Sequence, residues 1–362
     1  EFHQTPDLVT FQAYDGGDCM YYVRRRDVSQ FLQTNSLASF VFQNAAFDVD
    51  VICKHLDNNN LFDTYYYNNK IYDTAILYRL CHLAREGYVP RRYNLDLLSK
   101  ELLNKELNKD EEIRLNFHKY INHDITEIPR KFLEYGAEDV IATYHVFTKL
   151  RARALNLMGL ENRQQLLSHH IQVKGDLALL HVRKNGVSFN RPKAKKLLSN
   201  LNTHLEKISA RLANWNWVRG KQGSKEAFEQ AVEILGIKDE LPRTESGEVS
   251  SKSDDLIPYR NMEFINDYIQ FHETEKLTTF IRNLDTDRVH ARYDLIKNTG
   301  RTGCSKPNMQ QLPRQGGIRQ LFHAKEGHTF VITDYSAIEL CTLAQIMYNQ
   351  FGHSTMREKI NN

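Results

Sequence analysis

The run Thr329-Phe330-Val331-Ile332-Thr333-Asp334 sets a carboxylate at the end of an apolar, β-branched stretch. That composition predicts a buried strand, followed by a helix over Tyr335–Asn349. An aspartate at a strand end is a hard oxygen ligand suited to Mg²⁺, which takes one or two carboxylates and completes its shell with substrate phosphates. The plainer alternative makes Asp334 a cap of the following helix. What lies upstream tips the balance toward metal. Thr299-Gly300-Arg301-Thr302-Gly303-Cys304-Ser305-Lys306-Pro307-Asn308-Met309-Gln310 leads through Arg314 to Arg319. Its glycines allow close backbone approach, its amides hydrogen-bond, and its arginines fork phosphate oxygens. Residues 286–330 hold eight Lys or Arg against three Asp or Glu, a local +5 in a chain that totals only +3. A polyanion is the expected partner.

A second constellation lies near the N-terminus. Asn44-Ala45-Ala46-Phe47-Asp48 follows an apolar run, and Tyr135 and Asp139 stand four residues apart on a predicted helix, so they share one face. A tyrosine that orients water beside a metal-binding aspartate suits phosphodiester hydrolysis. Between the two constellations, Arg219, Lys221, Ser224, Lys225 and Lys252 are candidate phosphate contacts, against the alternative of solvated surface charge. Asp73 reads as a helix cap, and His3, His169 and His170 lack partners at ligand spacing. Tyr65-Tyr66-Tyr67 reads as an aromatic patch packing on a helix rather than a platform for unpaired bases.

The elements that must position these groups follow from periodicity. The Asp15-Gly16-Gly17-Asp18 turn joins strands Leu8–Tyr14 and Met20–Val23. A helix over Val28–Thr34, a strand over Ser39–Phe42 and a helix through Leu56 come next, broken at Asp57–Asn60. The strand Lys70–Asp73 then opens a helix over Thr74–Glu86, the order of a layered α/β domain. Helical periodicity runs from Asn94 to about Arg153. Long amphipathic helices follow over Gln164–Lys184 and Arg191–Trp217, with shorter stretches at Lys225–Leu235 and Met262–Leu284, before a strand over Val289–Leu295. With 362 residues, 41% hydrophobic and 26% charged, two or three domains are expected, and the boundaries fall near 165 and 286. Near-neutral charge excludes a polybasic binder. No run of 18 apolar residues spans a membrane, and no signal peptide is seen. The five cysteines (Cys19, Cys53, Cys81, Cys304, Cys341) are scattered and never spaced CxxC, which argues for an intracellular, reducing compartment.

The motifs TGR, PNxQxxP, R and DYSxIEL, met by Thr299–Arg301, Pro307–Pro313, Arg319 and Asp334–Leu340, resemble the family A (polymerase I-like) DNA polymerases. The resemblance implies that Asp334 is one of two palm carboxylates holding Mg²⁺ or Mn²⁺, with the Tyr335 carbonyl as a further ligand. It implies that Glu339 presses on the sugar to favour deoxynucleotides, and that Arg301, Asn308 and Gln310 hold primer–template. Ala337 and Cys341 replace the family's usual Gln and Arg. Asn44-x-x-Phe47-Asp48 and Tyr135-x-x-x-Asp139 are similar to the second and third motifs of the family's 3′–5′ exonuclease, which makes Asp48 and Asp139 metal ligands there. Glu1 falls near the acid of the first motif. The implied organisation is an RNase H-like exonuclease domain over 1–165, a helical thumb over 166–285 and an incomplete α+β palm over 286–362. The second palm carboxylate motif and the fingers helix are missing from these residues. The expectation is therefore a monomeric polymerase fragment whose two-metal sites are both incomplete and which does not extend a primer by itself. Primer–template DNA, a single-stranded 3′ end and dNTPs are the implied partners. The alternatives are a non-catalytic DNA-binding fragment and a stand-alone 3′–5′ exonuclease.

Overall fold

The computed structural model describes residues 4–56, 60–107, 110–159 and 166–361. The first hairpin pairs β1 (Thr10–Tyr14) antiparallel with β2 (Met20–Arg24), in the register Phe11 opposite Val23. Next come α1 (Val28–Thr34), β3 (Phe40–Phe42), α2 (Ala45–Leu56) and α3 (Asn60–Tyr67). The predicted break at Asp57–Asn60 lies largely outside the described residues. β4 (Ile71–Asp73) pairs parallel with β3 and opens directly into α4 (Thr74–Glu86). That helix is bounded at both ends by its sequence. The Asp73 side chain caps its start, and Gly87 closes it at φ 78°, a left-handed turn that glycine adopts without strain.

Three more helices complete this region: α5 (Leu95–Leu103), α6 (Glu111–Asn116) and the long α7 (Arg130–Met158), entered at Pro129. α8 (Leu167–Asn185) lies against it, since Val173, Leu177 and Leu180 are buried in one cluster with Phe11, Val28, Leu32, Ile52 and Tyr65. A second cluster joins α4, α5 and α7 through Leu77, Leu98, Val146 and Leu150. The short β3–β4 pair therefore sits between helices rather than in a broad sheet.

The rest of the chain is mainly helical. β5 (Val187–Phe189) leads into α9 (Arg191–Ala213), whose first turn is capped by the Asn190 carboxamide oxygen accepting from the Lys193 N–H at 2.9 Å. The helix ends at Ala213, four residues short of the expected Trp217; Trp217 instead folds back and stacks edge-on against Tyr268 and Phe271. α10 (Ser224–Ile234), the one-turn α11 (Ser253–Leu256) and α12 (Glu263–Arg282) surround a core of Ile208, Leu212, Phe228, Leu256, Phe264 and Ile269. α9 is tied to α12 by Arg211, whose Nε and Nη2 donate to the buried Asp267 carboxylate at 2.6 and 2.7 Å.

The single strand expected over Val289–Leu295 is broken in two. β6 (Arg288–Val289) pairs with β5, whereas β7 (Arg292–Asp294) leaves that sheet and pairs antiparallel with β8 (Gly303–Ser305). β9 (Phe322–His323) closes a small sheet in the order β6-β5-β9. The last helices are α13 (Ile338–Phe351) and α14 (Thr355–Asn361).

The buried strand expected at Thr329–Thr333 does not form. Val331 is 84% and Ile332 90% exposed, and no described strand lies beside them. A lone strand leaves its N–H and C=O groups to water and buries neither face, so β-branched composition alone does not hold it.

Candidate functional site

At the N-terminal site the C-terminal ends of β3 and β4 face the same way, and each feeds a helix. One carboxylate organises both. Asp73, 1% exposed, accepts from the Ala45 N–H at 2.6 Å and from the Ile76 N–H at 3.0 Å, and so caps α2 and α4 together. Asn44 makes the turn before α2 with φ 70°. Asp48 then sits one turn into α2 and half-buried. Burial, with the Asp73 charge adding to it, pushes its carboxyl up to about 7. A desolvated acid beside a second acid is a place where a cation is favoured, which fits a divalent-metal ligand.

Tyr135 and Asp139 lie half-buried on α7, on the face expected. Gly136 between them lets α7 approach β1, because a Cβ there would meet the Gln12 side chain at 2.9 Å. Tyr135 lines an open cavity of about 360 Å³ with Lys105, Lys131, Glu134 and Glu138. Lys105 and Glu138 face each other at 3.7 Å. These lysines were not singled out from the sequence; Lys131, four residues before Tyr135, had a spacing signal, and Lys105 had none. Glu1 lies outside the described residues. No group of three or more His, Cys, Asp or Glu able to hold a metal is found among the described residues.

His169, His170 and Tyr65 are buried as core, Tyr67 is 70% exposed, and His3 lies outside the described residues. His169 is buried, stacks on Tyr72 and accepts the Asp73 N–H at Nε2, 3.1 Å. Tyr65 is wholly buried and donates its hydroxyl to the Leu32 carbonyl at 2.6 Å.

In the C-terminal constellation, β7 and β8 carry between them the loop Thr299-Gly300-Arg301, which projects into solvent. Arg301 and Arg314 are exposed, and neither is paired with an acid among the described residues. Arg319 is exposed and donates from Nη2 to the Leu312 carbonyl at 3.0 Å. Asn308 caps a single helical turn over Met309–Gln311, and Gln310 donates to the Thr302 hydroxyl at 2.6 Å, which ties the amide-rich segment back to the arginine loop. Asp334 is exposed, four residues before the start of α13, whose first turn has no side-chain cap. The capping alternative is thus not realised, and the buried-strand pedestal expected for Asp334 is absent. Tyr335 is 79% exposed, and Glu339 stands exposed in the first turn of α13.

Among the candidate phosphate contacts, Lys221 and Lys252 are exposed and make no ion pair with a described residue. Arg219 and Lys225 are held by Glu275 and Glu248. The Ser224 hydroxyl is turned inward onto the Val218 and Lys221 carbonyls, so its proton is already donated and the phosphate role expected of it is not supported.

Comparison with known proteins finds two matching segments. The family model for 3′–5′ exonuclease matches residues 26–154, and that for DNA polymerase family A matches residues 191–353. DNA polymerase I of Aquifex aeolicus is 27% identical over 233 residues, 59% of this chain and 39% of that protein. DNA polymerase I of Borreliella burgdorferi is 24% identical over 277 residues, 72% of this chain and 29% of that protein. This chain thus spans well under half the length of these relatives. Among solved structures, the POL domain of Pol1 from M. smegmatis, in complex with DNA primer-template and dNTP, superposes with a TM-score of 0.61 at 17% identity, covering 93% of this chain and 56% of that one.

Proposed function

We propose that this chain, whose residues 191–353 match the DNA polymerase family A model and whose residues 26–154 match the 3′–5′ exonuclease model, is part of a DNA-directed DNA polymerase that holds primer–template and proofreads 3′ ends. The carrying observation is the surface cation pattern: Arg301 and Arg314 stand exposed without acid partners ahead of a solvent-facing Asp334. In this reading α9, α10 and α12 form the thumb, and the segments after residue 286 form part of the palm.

Each side chain has a distinct task. Arg301, Arg314 and Arg319, with Lys221 and Lys252 on the helical region, neutralise backbone phosphates, and Asn308 and Gln310 keep the arginine loop in place. Phosphate contact of this kind fixes position without reading sequence. Glu339 bounds the space beside the sugar. In the exonuclease domain Tyr135 orients a water, and its helical partner Asp139 lies on the same face. Divalent metal, Mg²⁺ by preference, would be held by Asp48 and Asp139 in one site and by Asp334 with the Tyr335 carbonyl in the other. When bound it supplies charge to polarise the phosphoryl oxygens and acidify the attacking hydroxyl or water.

The test is a gel-shift titration on primer–template, run beside a Mg²⁺-dependent nuclease assay. Retention that weakens steeply with salt is expected, since each neutralised phosphate releases counterion. A flat salt response sinks the DNA-binding reading. Degradation of the 3′ end that Asp139→Ala abolishes supports the exonuclease. Binding with no hydrolysis at any Mg²⁺ concentration reduces the chain to a binding module.

A further inference from the structure

The loop that carries Arg301 is tied at its far end to the amide-rich segment, where Gln310 donates to the Thr302 hydroxyl, but its near end is held elsewhere. Its stem, residues 294–298, is built into the exonuclease side. Arg79 on α4 is 7% exposed, lies 4.5 Å over the Tyr93 ring, and reaches the stem through one terminal nitrogen. Its Nη2 donates to both Asp294 oxygens at 2.8 and 3.0 Å and to the Ile296 carbonyl at 2.8 Å. Lys297 closes on the same carboxylate at 2.7 Å. Ile296 is buried in the N-terminal core with Val173 and Leu177, and Leu295 lies where a Cβ on Gly175 of α8 would meet it at 2.9 Å. At the far end of the stem, the Val89 N–H, just after α4, donates to Asn298 Oδ1 at 2.8 Å. Asn298 directly precedes Thr299-Gly300-Arg301.

We propose that Arg79 and the Val89 amide form a brace through which the exonuclease domain fixes the Arg301 loop, so that this domain contributes to primer–template affinity independently of its own hydrolytic residues. The physical ground is entropy. A loop between two three-residue strands, held at its far end by Gln310 on Thr302, still carries an ordering cost on binding unless its near stem is already fixed. Arg79 and Asn298 are positioning residues; neither needs to touch the reacting atoms. The inference rests on the DNA-binding reading for its consequence, but the brace itself has a readout without DNA.

Two variants test it, Arg79→Met from the exonuclease side and Asn298→Ala from the exposed end of the stem. Amide hydrogen exchange of the free protein and gel-shift affinity for primer–template are measured on each. The expected result is faster exchange confined to residues 298–303 and affinity lower by roughly three- to thirtyfold, the size of coupling a packed network carries. Arg79→Lys, which keeps one donor for Asp294, should recover part of both effects. Unchanged exchange at 298–303 overturns the brace. So does faster exchange spread through the whole chain together with a lowered melting temperature in both variants, because that signature is general destabilisation. Should the unmodified chain fail to retain primer–template, the DNA reading falls, while exchange at 298–303 still decides whether the brace exists.

Discussion

His169 shows how one buried side chain sets a pH limit on this fold. Burial lowers its pKa to about 4, against 6.5 for an ordinary histidine, and burial lowers His170 as well. The native state therefore prefers neutral rings, whereas the unfolded chain takes up protons near pH 6.5. The stability conferred is fully present above 6.5 and is lost as pH falls toward 4. Urea unfolding should show up to about 3 kcal/mol of acid-sensitive stability from His169. His169→Gln, which keeps an acceptor for the Asp73 N–H, should flatten the slope between pH 6.5 and 4.5; an unaltered slope would assign it elsewhere. Asp73 makes a second demand at this scale. Asp73→Ala strips the caps from α2 and α4 together and should cost roughly 2–4 kcal/mol, about two cap losses, read as a lower urea midpoint. Part of this was legible. An aspartate immediately before Thr74–Glu86 signals a cap from local sequence. That the same carboxylate also caps α2 and raises Asp48 depends on a parallel pairing between residues about thirty apart, which no local spacing reveals.

Elements divide by where their stabilisation comes from. α1 and α4 lie where periodicity, Asp73 and Gly87 put them, because caps and amphipathic spacing are local. Strands answer to distant partners. The β-branched run at Thr329–Thr333 has the composition of a strand yet no strand beside it, and Val289–Leu295 splits because β5 claims its first part and β8 its last. The turn that brings β5 to β6 depends on one residue. Gly186 has φ 55° and ψ −171°, backbone open almost only to glycine, and a Cβ there would lie 2.6 Å from the Val289 carbonyl oxygen. Gly186→Ala should therefore cost about 2–3 kcal/mol, from strain plus displacement of β6. A circular-dichroism melt that shifts by less than a degree or two would show that the turn adapts instead. Gly87→Ala, also left-handed but with nothing within 4 Å of the added methyl, is the control and should cost about 1 kcal/mol.

Across the whole molecule, the described cores stop before the last forty residues. Leu321 is 1% exposed and Ile318 wholly buried, but Phe330, Val331, Ile332, Leu340, Leu343, Ile346 and Phe351 all lie more than a third exposed, and on α13 only Ala344 is buried. Apolar side chains left in water contribute little to folding, whereas those taken out of it contribute about 25 cal/mol per Å². Two substitutions of similar chemistry should then differ sharply. Ile332→Lys at 90% exposure should move the urea midpoint by no more than about 0.5 kcal/mol, while Leu321→Lys, which drives an amine into the cluster of Phe189, Ile281 and Ile318, should cost at least 3 kcal/mol. Large apolar side chains exposed in this number also favour association. Sedimentation should show Ile332→Lys together with Val331→Asp reducing concentration-dependent self-association, with the Arg301 loop and its salt-dependent DNA retention unchanged. If Ile332→Lys instead unfolds the chain as Leu321→Lys does, then residues 329–333 are packed in solution and the strand that their composition predicts has found a partner.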